Sequence, residues 1–477
     1  MPKTRKELFC EVFGLPTDLL GNVLPTNSDV MKCYLWNRNL LKETVRGLYF
    51  DGRKDKTIQQ DKKGTKYYRS TVTEEHVVLL SEPGSLFLGH VSPMSGSAKN
   101  ITLSIKTFLK DADSNINELK AIGCDGTVIN TGLTNGVIRQ LELFIGRPLQ
   151  WHICLLHTNE LPLRHLIQFL DGKTSNPRCF SGEIGKMLEN CEKLSIAAFE
   201  PIETELPSIH QNDLSTDQTY LFDIRNRIMK GDIPLSLSLR NPGKMSHSRW
   251  ITTANRILRL YVAVQNPSTA LKVLAQYVMK VYPPSWFEIK LKPTNKTGSN
   301  HFLGIIKKCR YLPEELKNLL NPVLQRNAYF AHPENILLSM LADEQKHIRE
   351  LALRRILKCR ANDATLNTVR VFKVPKLNFD AINYYDMIDW HATEITEPPL
   401  TKDITTEALE QMIMDIPNNI EFLKLPCHTQ AVERMIKLVT EASLSVCGEK
   451  ARDGFIRTKL ASQNDIPKFE TKKHFII

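Results

Sequence analysis

No apolar run in this 477-residue sequence approaches the ~18 residues needed to cross a bilayer. Behind the basic start Met1-Pro2-Lys3-Thr4-Arg5-Lys6 there is no uninterrupted apolar segment of the signal-peptide kind. The expectation is an intracellular, non-secreted chain with no membrane partner. Cysteine is present but unorganised: Cys10, Cys33, Cys124, Cys154, Cys179, Cys191, Cys309, Cys359, Cys427 and Cys447 contain no Cys-x-x-Cys spacing. That excludes a zinc ribbon and a thioredoxin-type redox pair, and favours a reducing compartment over a disulfide scaffold. A repeat of fixed period and a long low-complexity tract are missing too, so neither a solenoid nor a wholly disordered chain is expected.

What the sequence does have is enough apolar content, 42% hydrophobic residues, to build sizeable cores. At ~150 residues per domain, the length corresponds to roughly three domain-sized units. Its charge is unbalanced: 63 Lys and Arg against 52 Asp and Glu give +11. That excess favours a polyanionic partner, nucleic acid first and an acidic membrane surface second.

Along the chain, residues 1–44 read as a helical lead-in. Val45–Phe50 is β-prone and ends at Asp51-Gly52, and a basic stretch follows with Lys54, Lys56, Lys62, Lys63 and Lys66 around a turn at Gly64. His76–Ser81 and Leu86–Val91 read as strands joined by the turn Pro83-Gly84-Ser85. Ser95-Gly96-Ser97 opens a helix with apolar residues at Ile101, Ile105, Phe108 and Leu109. Leu119–Gly123 is a short strand ending at Cys124-Asp125-Gly126, Asn135–Phe144 a helix, Leu149–Leu155 a strand and Glu160–Leu170 a helix. Residues 45–175 therefore form a mixed α/β layer, for which an RNase H-like order is one solution. From 176 to 425 helix-period segments dominate, and 426–460 holds a last helix with Val432, Met435, Ile436 and Val439 on one face. Residues 461–477 read as a tail.

Two aspartates stand where strands are expected to end, each followed by glycine: Asp51 and Asp125. With a third carboxylate they would make a hard-oxygen cage for Mg²⁺ or Mn²⁺; singly, each is an ordinary strand-end turn. Within Trp151-His152-Ile153-Cys154-Leu155-Leu156-His157, a Cys and a His three apart could ligate zinc, yet only His152 and His165 are close enough to complete a set. A structural role for Cys154 and His157 is the simpler reading. Arg249-Trp250 opens another helix, where Arg can fork to a phosphate and Trp can stack on an unpaired base, or simply be buried. Glu433 borders an apolar helix stripe, with Arg434 beside it.

In this order, Asp51, Asp125, Cys154 with His157, Arg249 with Trp250, and Glu433 with Arg434 resemble the motifs of hAT-type cut-and-paste DNA transposases, over about residues 45–460. The resemblance implies an RNase H-like catalytic domain interrupted by a large helical insertion. It implies DNA as substrate, a likeness to a domesticated or N-terminally truncated member, a homo-oligomer, a nuclear (or cytoplasmic) location and no small-molecule cofactor. It also implies that Asp51, Asp125 and Glu433 hold two Mg²⁺ or Mn²⁺ ions for strand cleavage and transfer. Arg249, Trp250, Lys54, Lys56, Lys62, Lys63 and Lys66 would contact DNA, Cys154 and His157 would be structural, and zinc is not expected. The alternative is a catalytically inactive transposon-derived DNA-binding or protein-interaction protein. Residues 1–44, with Cys10 and Cys33 but no His, lack the zinc finger with which such transposases commonly begin, and this supports the alternative.

Overall fold

A computed structural model of the chain describes residues 45–443, except 113, 177–178, 206–207, 246–249, 362–368, 370–375, 394, 396–399, 403 and 415–422, together with 452–457 and 459–460. The lead-in expected over 1–44, Arg249 and the tail 461–477 lie outside these residues. In chain order the main elements begin with β1 (Gly47–Lys63), β2 (Lys66–Glu82), β3 (Leu86–Val91), α1 (Ala98–Asp111), β4 (Ala121–Cys124) and α2 (Val137–Ile145). Next come β5 (Gln150–Ile153), α3 (Leu155–Asp171), α4 (Thr216–Lys230), α5 (Trp250–Tyr261), α6 (Thr269–Lys280), α7 (Tyr282–Leu291) and α8 (Asn295–Cys309). The series closes with α9 (Glu314–Ala328), α10 (Pro333–Leu341), α11 (Lys346–Arg360), α12 (Thr406–Met414) and α13 (Gln430–Ser443).

The protein is α/β and divides into two compact units, one holding the chain up to Leu149 and again from Thr429, the other Gln150–His428. The division thus falls before β5, earlier than the boundary expected at 175. Two side-chain hydrogen bonds tie β5 and α3 to distant helices of the second unit. Asn335 Nδ2 donates to the Trp151 carbonyl, and Asn159 Nδ2 to that of Tyr282 at 2.9 Å.

In the first unit the strand order is β3-β2-β1-β4, with β1 antiparallel to β2 and parallel to β4. Alternation along β1 assigns the two faces. Tyr49 pairs with Leu80 and Asp51 with Val78. Tyr49, Val78 and Leu80 share a core with Val432, Ile436, Val439 and Ala442, so α13 lies on the Asp51 face. Each such large apolar side chain contributes roughly 1.5–3 kcal/mol on burial. The opposite face carries Phe50, Leu79 and Gly89, and a Cβ at Gly89 would sit 2.6 Å from the Phe108 ring of α1. Ser97 caps α1, as its sequence suggests, by accepting from Asn100 N–H at 3.4 Å.

Further expectations change: β2 begins at Lys66 and not at His76. β1 does not end at Asp51 but runs on to Lys63, because β2 pairs with it residue by residue up to Lys63–Lys66, where Gly64 at φ 64° makes the turn. Helix α3 begins at Leu155, not near Glu160, so His157 sits in its first turn.

The second unit is mainly helical. Its larger core joins α3 to α4, α5, α6, α7 and α9 through Leu163, Leu166, Leu221, Ile257, Leu274, Phe287 and Leu320. A further core is formed by α8, α10, α11 and α12 through Phe302, Ile336, Leu337, Ile348 and Leu409. Buried arginines tie loops to these helices: Arg256 Nη1 donates to the Leu188 carbonyl at 2.6 Å and to Glu192 Oε2 at 2.9 Å.

Candidate active site

Parallel pairing of β1 with β4 matches Gly47 with Ala121, Leu48 with Ile122 and Tyr49 with Gly123. Carried two residues further, the same offset brings Asp51 level with Asp125 and on the same face. Gly123 is needed in this register: a Cβ there would lie 2.7 Å from the Tyr49 ring. That ring covers β4 directly beneath the two aspartates.

Asp125 is held by its own turn. Its Oδ1 accepts from Thr127 N–H at 3.1 Å, Thr127 Oγ1 at 2.8 Å and Asn130 Nδ2 at 2.6 Å. Sequence reading passed over Thr127 and Asn130, although an Asp followed at two by Thr is a familiar side-chain-to-backbone turn. Glu433 lies in the first turn of α13, exposed, one position round from buried Val432. Its N–H donates to the Thr429 carbonyl at 3.0 Å, and its Oε1 accepts from Thr429 Oγ1 at 3.3 Å.

Asp51 feels the other two carboxylates. Part of Asp51 is reachable by solvent, yet its carboxyl group lies among protein atoms, and that burial pushes its pKa well above the usual carboxylate range. The charges of Asp125 and then Glu433 push in the same direction, while the Gly52 N–H, donating to Asp51 Oδ1 at 2.8 Å, pulls the other way. Among the described residues, however, no three His, Cys, Asp or Glu side chains are gathered into a ready cation cage. The donor set still suits a hard divalent cation: all three are carboxylates, and a positive charge between them would remove the repulsion that now raises Asp51.

Of the basic residues, Lys54, Lys56, Lys62, Lys63 and Lys66 are all exposed on the β1–β2 hairpin. Lys54 pairs with Glu75 at 3.7 Å, while the Lys62 and Lys63 ammonium groups stand 6.0 and 5.9 Å from the centres of the Tyr67 and Tyr68 rings. Trp250 is placed otherwise than for base stacking: it is 7% exposed within the larger core of the second unit, so packing accounts for it. Cys154 is buried in that core together with Cys427, and Leu155 N–H donates to the Cys427 carbonyl at 3.0 Å. Burial pushes the Cys427 thiol far up, with Cys154 adding to it. His152 is likewise buried, its pKa lowered to about 3 by desolvation and then by His332.

One cluster went unread in the sequence. On the Asp51 face of β2 and β3, Arg452 Nη1 donates to His76 Nδ1 at 3.3 Å and to His90 Nε2 at 3.1 Å. Arg452 Nη2 lies 3.5 Å from Glu74 Oε2, and His90 Nδ1 lies 2.5 Å from Asp453 Oδ1. A guanidinium can only donate, so the ring nitrogens of His76 and His90 that face it accept. Desolvation, then Arg452 and His90, lower the His76 pKa to about 4.

Compared with known proteins, the chain matches no protein-family model, and no curated protein matches it either.

Proposed function

We propose that the chain is a transposase-like enzyme of the hAT kind, its first unit RNase H-like and its second the helical insertion, that cleaves and rejoins DNA phosphodiesters. The observation carrying this reading is that Asp125 directly follows β4, whose Gly123 pairs with Tyr49 two residues before Asp51, with Asp125 and Glu433 both near enough to add to the raised pKa of Asp51. Asp125, fixed by its hydrogen bonds, is the rigid donor of the set. Asp51, whose pKa is raised, would bind the cation in its ionised form. Glu433, exposed in the first turn of a helix, has room to swing inward. Mg²⁺ or Mn²⁺ bound there would polarise a phosphoryl oxygen and activate water or a 3′-hydroxyl. The exposed lysines of the hairpin supply the phosphate attraction that brings DNA to the carboxylates.

The test is nicking and strand transfer on supercoiled DNA with Mg²⁺ or Mn²⁺, for the wild type and for Asp125→Ala. Metal-dependent nicking that is lost in Asp125→Ala, with folding and DNA binding kept, supports the enzyme. DNA binding without nicking under any metal supports the second reading, a catalytically inactive DNA-binding protein. Absence of both activities overturns the two together.

A further inference from the structure

The β1–β2 hairpin continues well past the core of its sheet. Thr57 is the last buried residue of β1, and beyond its pair with Val72 the ribbon Ile58–Lys63 with Lys66–Thr71 is exposed apart from the partly covered Ile58 and Ser70. Six pairs at ~3.3 Å each carry it about 20 Å outward. A two-stranded ribbon with no core beneath it is marginal in water by itself. Its composition also disfavours a second sheet as partner. Lys62, Lys63, Lys66 and Arg69 against Asp61 leave a net +3 over residues 58–71, the kind of charge that blocks edge-to-edge pairing.

Charge is divided unequally between the ribbon's two faces. Lys63 and Lys66 share theirs with Asp61 and Tyr68, and this is the Asp51 face. The other face carries Lys62 opposite Tyr67, Gln60 opposite Arg69 and Lys56 opposite Thr73, with no carboxylate before Glu75. The strands stand ~4.8 Å apart, so with side chains the ribbon is about 10 Å wide, which fits a major groove about 12 Å wide and 8.5 Å deep.

We propose that this arm enters the major groove of duplex DNA as a two-stranded ribbon, with Lys56, Lys62 and Arg69 reaching phosphates and Tyr67 packed between them. The inference rests on the DNA reading above, which it makes specific to duplex and to one face of one hairpin. It is tested by fluorescence anisotropy of the full chain on a 20-base-pair duplex and on a single strand, across a salt series, with Lys62→Gln/Arg69→Gln set against Lys63→Gln/Lys66→Gln. All four positions are solvent-facing, so both variants keep the wild-type melting curve. Losing two phosphate contacts lowers the log–log salt slope by about 1.8, a loss of about 30-fold at 0.15 M salt relative to 1 M. The Lys63/Lys66 variant loses less than half of that, and guanine N7 atoms of the bound duplex are protected from methylation. Wild-type binding that is unchanged in Lys62→Gln/Arg69→Gln overturns the arm while leaving the DNA reading intact. Tighter binding to the single strand with N7 unprotected overturns the groove mode. Displacement of the duplex by polyglutamate at equal charge concentration makes an acidic protein the partner and overturns the proposal. No DNA binding by the wild type removes the DNA reading itself.

Discussion

Asp51→Asn should stabilise the protein, and by more as the pH rises. The substitution keeps the shape of the side chain and the acceptor for the Gly52 N–H but removes the ionisable group. With strands ~4.8 Å apart, carboxylates level on β1 and β4 would stand about 5.5 Å apart and repel by about 3 kcal/mol at an effective dielectric of 20, were both ionised. Burial first, and then Asp125 and Glu433, raise the Asp51 pKa, so the folded chain holds this proton to a higher pH than the unfolded chain does. Below the ordinary aspartate value of 3.8 the folded and unfolded chains both carry this proton, and the group costs nothing. As pH rises through the ordinary carboxylate range, the unfolded chain releases its proton while the folded one retains it. Folding then loses stability steadily until the pH passes the raised folded value. The amide of the variant, which does not ionise, has no such loss.

The variant should therefore melt together with the wild type near pH 3 and above it at pH 8, by about 1–3 kcal/mol or several degrees. Measurements are made in EDTA, with hydrogen exchange of β1 and β4 amides isolating the first unit. Adding Mg²⁺ at pH 8 should narrow the gap, since only the wild type has the carboxylate to gain from it. A variant no more stable at pH 8, or a difference that shrinks as pH rises, would refute the reasoning.

Other outcomes follow from the same geometry. His76, whose pKa falls to about 4 in the fold, resists protonation that the unfolded chain accepts near 6.5. Its environment therefore contributes stability above pH 6.5 that is lost as pH falls toward 4, at most about 3 kcal/mol. His76→Gln should flatten urea-determined stability over that window, and an unchanged slope would speak against a neutral buried imidazole. Gly123→Ala forces a methyl 2.7 Å from the Tyr49 ring, an overpacking cost of about 1–3 kcal/mol. Tyr49→Leu should recover most of that loss in a double-mutant cycle, whereas additive losses would mean the ring is not the obstacle. Asn130→Leu removes one donor from Asp125 Oδ1 and should cut metal-dependent nicking about 10-fold or more with DNA affinity unchanged, since supporting partners of ligands act at that scale. Equal nicking by the two proteins would show that Asp125 needs no such support.

Much of the first unit could be read from the sequence, and where the reading failed a tertiary contact was responsible. The β2–β3 turn at Pro83-Gly84-Ser85 and the Ser97 cap are local chemistry, visible in a few residues. Asp51-Gly52 has the local look of a turn, yet the strand passes straight through it. A Cβ at Gly52 would meet Val77 Cγ2 at 3.2 Å, so the glycine marks a close approach of β2 and not an end of β1. Pro162 similarly argues for a helix starting late, since it has no N–H to donate to the Thr158 carbonyl one turn earlier. That carbonyl is satisfied by Asn327 Nδ2 at 3.0 Å, so α3 can begin at Leu155. Asn327 lies on α9, and nothing near residue 160 announces it.

The same distinction governs the candidate site. Asp51 and Asp125 were recognisable as residue types after β-prone runs, but their equivalence is a property of register, set by Gly123 yielding to the Tyr49 ring. Glu433 reaches this face because Val432, Ile436 and Val439 bury against Tyr49, Val78 and Leu80. The apolar stripe of α13 thus carries a carboxylate to the face that holds the other two. Like charges brought close are destabilising in a fold, and the packing of α13 and the Tyr49 ring hold the three carboxylates near one another against that cost. A site of this kind gains stability only from what binds it, which is why the response of Asp51 to pH and to a divalent cation separates a working carboxylate set from an inherited one.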